Sequence, residues 1–370
     1  MGRMNSKLFL PIESVNFKIA NIYLNHPLKL ANENYSSSKT VFVSIKANGF
    51  EGIGEGAPDK EVTDEDANSV SRFVEKLAPI LTGKNAFDIQ GINDLMDNLS
   101  KKDNTAKAGI DIALYDLIGR ILKRRTVSFL GGKGNSKPIS MTIGIEDGRL
   151  SVKHAKIYKH LGFKVIKLKV GLDVDEDLRR LKEIREAVGN AIKIVADANQ
   201  GYTLKEAQFF LSKAEALNLA FLEQPVKFSD FYSLKRLKAG SKIPIMADES
   251  VKNIEDFRRL ADINAVSMIN IKLMKMGGIT KAIQIAKEAM SKNIGVMVGC
   301  MEETRVGIAA GMHFTLSIND MGFADLDSHL SHSNKFVSSG IKTINGKNII
   351  GNGYGLGLRL KKDFRFQNND

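Results

Sequence analysis

From about residue 138 onward, short apolar runs alternate with segments whose apolar residues recur at helical spacing. The runs are PISMTIGI (138–145), VIKLKV (165–170), KIVADAN (193–199), AFLEQP (220–225), IPIMADES (243–250), AVSMINIKL (265–273), IGVMVGC (294–300) and GFADLD (322–327). Between them lie stretches such as LKEAQFFLSKAEAL (204–217) and ITKAIQIAKEAMS (279–291), which gather their apolar residues on one helical face. Strands that alternate with helices pair in parallel, because each helix returns the chain to the end where the previous strand began. No helical pattern follows the last run, so the prediction is an α/β fold of the (β/α)7β kind, a modified TIM barrel. A doubly wound open sheet is the competing arrangement of the same alternation.

The first third of the chain reads differently. VNFKIANIYLN and KTVFVSIKANGFEGIGEGAP resemble antiparallel strands joined by Gly-rich turns. Three helical patterns follow, ending in KAGIDIALYDLIGRIL (107–122), where Ile110, Ala113, Leu114, Leu117 and Ile118 share a face. SFLGGKGNSKP then marks a turn-rich boundary. The expected organisation is an α+β capping domain over 1–130, a barrel over 131–327, and a tail over 328–370 that returns to the cap. GIGEG at 52–56 is not a dinucleotide loop, because no helix opens after it.

Composition narrows the classes. A chain of 370 residues with 43% apolar and 26% charged residues is ordinary for a soluble globular protein. No apolar run reaches the length of a membrane span, and no signal-like segment opens the chain. The opening MGRMNS meets the loose myristoylation pattern at Gly2 and Ser6, which is too short to carry an assignment. Cys300 is the single cysteine, so a disulfide framework is excluded and a reducing, cytoplasmic setting is expected. The net charge of +12 is spread over amphipathic segments with acidic neighbours, and no nucleic-acid-binding module accompanies it.

The polar residues keep step with the strands. Lys169, Asp197, Glu223, Asp248 and Lys272 fall at the ends of five consecutive runs, separated by 28, 26, 25 and 24 residues, and Asp325 ends the last. Side chains at i and i+2 share a strand face. Lys167 therefore joins Lys169, Asn199 joins Asp197, Asn270 joins Lys272, and Asp327 joins Asp325 on a face directed into the barrel. In this fold the C-terminal strand ends carry the chemistry. Asp197, Glu223 and Asp248 would repel one another on adjacent strands, and an all-oxygen set suits Mg²⁺. The alternative is a set of buried salt bridges to Lys167, Lys169 and Lys272. Lys169 and Lys272 lie four strands apart, on opposite sides of the opening. Two such bases beside a metal suit removal of a proton α to a carboxylate and its return to the other face. Lys167 or the metal, with partial desolvation, is expected to favour a neutral catalytic amine.

KLK, DAN, EQP, ADES and NIKLMKMGG, in this order on consecutive strands, resemble the muconate-lactonizing subgroup of the enolase superfamily. The resemblance covers nearly the whole chain. It implies that Asp197, Glu223 and Asp248 hold one Mg²⁺ per subunit and that Lys169 and Lys272 are the acid/base pair. Asp325 and Asp327 in DLD, with VGCMEET before them, are similar to the dipeptide epimerases of that subgroup, which implies an L-Ala-L-Xaa substrate inverted at its second residue. Thr142, Lys167, Cys300 and Glu302 fall where family members line the dipeptide. A bacterial, cytoplasmic enzyme is implied, a homo-oligomer being compatible with it. N-succinylamino acid racemase, o-succinylbenzoate synthase and cycloisomerase activities are the subgroup's other reactions.

One departure concerns the loop after the first strand. Members that favour L-Ala-L-Glu can carry an arginine there, whereas PLKLANEN places Glu33 near that position, with Lys29 as the nearby cation. A Schiff-base lyase using Lys169 or Lys272 is a rival on the same barrel, but it leaves three acidic strand ends without a role. Cys300, with no histidine near it in sequence, reads as a small residue closing a strand.

Overall fold

The computed structural model describes residues 9–319, 321–333, 335–362, 364 and 366. Gly2 and Ser6 of the myristoylation pattern lie outside the described residues. The N-terminal sheet is antiparallel in the order β1 (Ser14–Lys29), β2 (Asn34–Ala47) and β3 (Phe50–Gly56). Asn48 and Gly49, both at positive φ, form the two-residue turn between β2 and β3, the geometry that matches strand twist. Helices Ala67–Leu81, Ile89–Leu99 and Asn104–Ile121 complete this unit.

The GIGEG segment has a packing role. Gly52, Gly54 and Gly56 alternate along β3 and lie directly on the backbone of helix Asn104–Ile121. A Cβ on Gly54 would meet the Gly109 carbonyl oxygen at 1.9 Å, and one on Gly52 would meet that of Ala113 at 2.2 Å. The i, i+2 period of a strand is matched to the i, i+4 period of a helix, and hydrogen is the only substituent that fits between. Gly54→Ala is expected to destabilise the fold by about 3 kcal/mol through overpacking, read as a lower denaturation midpoint at unchanged m-value.

After β4 (Ser136–Pro138) come eight strands in which every neighbouring pair is parallel. They are β5 (Ser140–Ile143), β6 (Val165–Lys169), β7 (Lys193–Asp197), β8 (Leu219–Glu223), β9 (Ile245–Ala247), β10 (Met268–Lys272), β11 (Gly295–Gly299) and β12 (Phe323–Ala324). Seven helices connect them: Gly148–His160, Val174–Val188, Leu204–Ala214, Phe231–Gly240, Ile254–Asp262, Ile279–Ser291 and Arg305–Thr315. A one-turn helix, Leu273–Met276, precedes the sixth. The expected (β/α)7β alternation is present, with one refinement. The backbone ladder runs from β5 to β12 and stops there. Side chains close the seam instead: Ser140 Oγ reaches Asp325 Oδ1 at 2.5 Å, and the Thr142 N–H donates to Asp327 Oδ2 at 2.8 Å.

Alternation sorts the barrel interior into layers. Val195, Phe221, Met246 and Met297 form a separate apolar cluster, with Val165, Met268 and Phe323 against it. Two residues further along the same strands come Asp197, Glu223, Asp248, Gly299, Lys167, Asn270 and Asp325. Each inward-facing polar group thus stands one layer above an apolar plug, at the end where the strands terminate. The tail contributes β13 (Ile341–Ile344) and β14 (Lys347–Ile350), an antiparallel pair whose β14 also pairs with β4. Elsewhere it touches the N-terminal unit: Asn25 N–H donates to Ser331 O at 2.7 Å, and Phe42 meets Phe336 and Phe364 edge-on. Among the described residues no helix is long and apolar enough to cross a membrane.

Candidate active site

A cavity of about 110 Å³ opens at the C-terminal ends of the barrel strands, under the β1–β2 turn. Thr142, Lys167, Lys169, Lys272, Cys300, Glu302, Asp325 and Asp327, all singled out from sequence, line it. Asp197, Glu223 and Asp248 are fully buried and ion-paired to the three lysines. Lys167 Nζ stands 2.9 Å from Asp197 Oδ2, 2.9 Å from Glu223 Oε2 and 2.7 Å from Asp325 Oδ2. Lys169 Nζ reaches Asp197 Oδ2 and Asn199 Oδ1, both at 2.8 Å. On the far side of the opening, Lys272 Nζ lies 2.8 Å from Asp248 Oδ2.

The charges do not cancel. Asp197, Glu223, Asp248, Glu249, Asp325 and Asp327 are six buried carboxylates, while Lys167, Lys169, Lys272 and Lys275 supply four ammonium groups. The titration behaviour reflects that surplus. Burial and Asp197 push Glu223 up to about 8, burial and Asp248 push Glu249 up to about 7, and burial and Asp325 push Asp327 up to about 7. Asp248 goes the other way: its burial is outweighed by Lys272 and Lys275, which hold it well below the carboxylate range.

Burial and the Lys167 ammonium both work against the Lys272 ammonium, yet Asp248 outweighs them and holds the group above its ordinary value. Lys167 is likewise held well above its ordinary value, the carboxylates of Asp197, Asp325 and Glu223 overriding burial. Cys300 is pushed well up by burial and by Glu303, which keeps the thiol protonated and leaves no thiolate for nucleophilic attack.

The donor set fits a hard divalent cation. Three adjacent strand ends present carboxylates, the acidic groups outnumber the ammonium groups by two, and among the described residues Glu249 Oε2 and Asn270 Oδ1 are buried without hydrogen-bond partners. Among the described residues no three acidic, His or Cys side chains converge as a ready-made metal cage, since Lys167 Nζ stands between Asp197 and Glu223 and two lysines flank Asp248. The buried salt bridges weighed from sequence are therefore present, but they leave the cluster short of positive charge.

Comparison with known proteins completes the description. The model of the mandelate racemase/muconate lactonizing enzyme N-terminal domain matches residues 14–131, and the enolase C-terminal domain-like model matches residues 151–364. The chain belongs to the enolase superfamily. Homologous epimerases and racemases make it an isomerase of that superfamily. A hydrophobic dipeptide epimerase of Enterococcus faecalis is 34% identical over 95% of this chain and 99% of its own. Its structure with Mg and the dipeptide L-Leu-L-Tyr superposes with a TM-score of 0.91, covering 94% of this chain and 99% of that one. The substrate-liganded L-Ala-D/L-Glu epimerase of Bacillus subtilis also reaches 0.91, at 31% identity, over 94% of this chain and 98% of that one. An N-succinyl-L-Arg/Lys racemase of Bacillus cereus is 32% identical over 83% of this chain and 85% of its own.

Several residues of this superfamily site escaped the sequence reading. Lys275, on the one-turn helix after β10, donates to Asp248 Oδ1 at 2.5 Å and to the Asp248 and Asn270 carbonyls; its spacing of three from Lys272 was the available signal. Gln224 Oε1 accepts from the Asp248 and Ser250 N–H groups and fixes the end of β9. Asn199, already placed beside Asp197 by strand parity, sits at positive φ, as do Gln200 and Gln224 just beyond β7 and β8, a concentration of backbone strain typical of functional sites. Glu55 of β3 spans from the cap to the barrel. It accepts from Thr304 N–H, Thr304 Oγ1 and Gly307 N–H at 2.9, 2.7 and 2.8 Å, and so satisfies the start of helix Arg305–Thr315 behind the Cys300–Glu302 wall. Of the two candidates for the first loop, Glu33 lines the cavity, while Lys29 is exposed and does not.

Proposed function

We propose that the enzyme epimerises dipeptides of the L-Ala-L-Xaa kind at their second residue, using one Mg²⁺ per chain held by Asp197, Glu223 and Asp248. A divalent cation at these carboxylates would compete with the lysines for their charge and would stabilise negative charge growing on a substrate carboxylate. Lys169 and Lys272, reaching in from β6 and β10, are then the groups that exchange a proton with the α-carbon from opposite faces. Whichever lysine is neutral takes up the α-proton and becomes an ammonium, and the protonated one across the opening delivers its own proton to the other face, so the stereocentre inverts. Lys167 stays charged beside Asp197, Glu223 and Asp325 and adds positive potential on the β6 side.

The observation that carries the dipeptide reading is the Asp325–Asp327 pair. Both face the cavity, and Lys167 neutralises Asp325 at 2.7 Å, whereas among the described residues the Asp327 side chain receives only the Thr142 N–H, at 2.8 Å, and is pushed up to about 7. A substrate α-ammonium supplies the missing charge. An N-succinylated amino acid has none. In D₂O with Mg²⁺, L-Ala-L-Xaa dipeptides are expected to lose the Xaa α-proton signal while a second diastereomer grows, and EDTA stops both. Asp327→Asn is expected to lower kcat/KM for dipeptides by about a hundredfold, the scale of losing one desolvated charge pair. Exchange of N-succinylamino acids but not of dipeptides would replace this reading by a racemase.

A further inference from the structure

The wall of the cavity opposite the barrel combines two kinds of surface. Leu28 and Leu30, at the β1–β2 turn, and Val62, on the short helix after β3, present carbon. Glu33, Tyr35 and Asp59 present oxygen. The Tyr35 hydroxyl lies against both carboxylates, at 3.0 Å from Asp59 Oδ2, and its one proton serves only one of them at a time. Asp59 is further served by the N–H groups of Glu61 and Val62, both at 3.0 Å from its Oδ1. Among the described residues the Glu33 carboxylate has no such backbone support. Among the described residues no Lys, Arg or His side chain forms an ion pair with Glu33 or Asp59, while every lysine lining the cavity is already paired with a strand-end carboxylate. Burial, then Asp59 and Glu61, push Glu33 up to about 7, so the wall lacks a positive charge.

The reacting α-carbon has to lie between Lys169 and Lys272. Its side chain cannot run down into the barrel, where Asp197, Glu223 and Asp248 are packed with no exposure. It runs toward the cap. There apolar side chains and acidic groups line the same wall, which suits a side chain made of several methylenes and a terminal cation, one that buries its stem and presents its head. We infer that the residue being inverted carries a long cationic side chain, as lysine and arginine do, with Glu33 as the group that selects it. This rests on the dipeptide reading above and adds the substrate class to it.

The test compares L-Ala-L-Lys, L-Ala-L-Arg, L-Ala-L-Leu and L-Ala-L-Glu with the Mg²⁺-loaded enzyme, following α-proton exchange in D₂O. The cationic pair is expected to exceed the other two in kcat/KM by about tenfold or more, and Glu33→Gln to bring the Lys/Leu ratio down to within about threefold. Glu33→Lys is expected to move the preference toward L-Ala-L-Glu, a gain that a misfolded variant could not show. Preference for leucine or glutamate in the wild type overturns the inference and leaves the epimerase reading standing. So does a Lys/Leu ratio that Glu33→Gln does not move. Exchange of none of the four dipeptides removes both.

Discussion

Lys272→Ala and Lys169→Ala are each expected to reduce epimerisation by about a thousandfold or more, because inversion needs a proton group on both faces of the α-carbon and each lysine serves one. The two variants should nevertheless differ from a dead enzyme. With one lysine left, the enantiomer whose α-proton points at it can still lose that proton and regain a deuteron on the same face. Each variant is then expected to wash deuterium into one diastereomer without producing the other, and the two variants to act on opposite diastereomers. Proton NMR in D₂O reads both quantities at once. Full epimerase activity in either variant would sink the two-base scheme, and exchange of both diastereomers by one variant would reassign the faces. Lys272 is held above its ordinary value by Asp248. Removing that lysine also leaves Asp248 with Lys275 alone, so a thermal melt belongs beside the activity assay.

The second large effect concerns the carboxylates. With six buried acids against four ammonium groups, binding of a divalent cation relieves repulsion already present in the fold. Mg²⁺ at about a hundred times its dissociation constant is expected to stabilise the folded chain by about 2.7 kcal/mol, seen as a rise in the melting midpoint that EDTA reverses. Glu223→Gln removes one negative charge while keeping the shape and the hydrogen bond that Asn270 Nδ2 makes to Glu223 Oε1 at 2.7 Å. It should fold, lose most of the Mg²⁺-dependent rise, and lose activity by about a thousandfold, since the charge developing on the substrate then goes unopposed. An unchanged Mg²⁺ response in Glu223→Gln would exclude this carboxylate from the metal site.

Much of this site was legible because a strand translates sequence parity into direction. Once Val195, Phe221 and Met246 fill the barrel axis, Asp197, Glu223 and Asp248 two residues on have no other way to point. The lysines on β6 and β10 follow by the same rule. What stayed hidden depends on approach rather than period. Glu33 could be placed in the first loop, but Tyr35, two residues on, and Asp59, after β3, come together with it over the barrel only on folding. Lys275 and Gln224 act on Asp248 through local geometry that no spacing rule singles out with certainty. The electrostatic balance was hidden too. Sequence placed lysines beside acids, but which partner dominates at Lys272 depends on a 2.8 Å approach and on burial. The glycines of GIGEG gave a motif whose meaning, a flat surface for a helix, became visible only with that helix in place.

The Glu55 carboxylate ties the two parts of the molecule thermodynamically. Its three acceptor contacts to Thr304 and Gly307 satisfy backbone and side-chain donors that are buried at the start of helix Arg305–Thr315. Lifting the N-terminal sheet away would take their acceptor from those donors and leave Glu55 with the Thr40 hydroxyl of its own sheet, at 2.8 Å, in place of its barrel partners. The cap is therefore not a cover resting on a finished barrel. A barrel cut free of its first strands would lose these contacts and be a different, less stable molecule rather than an open version of this one.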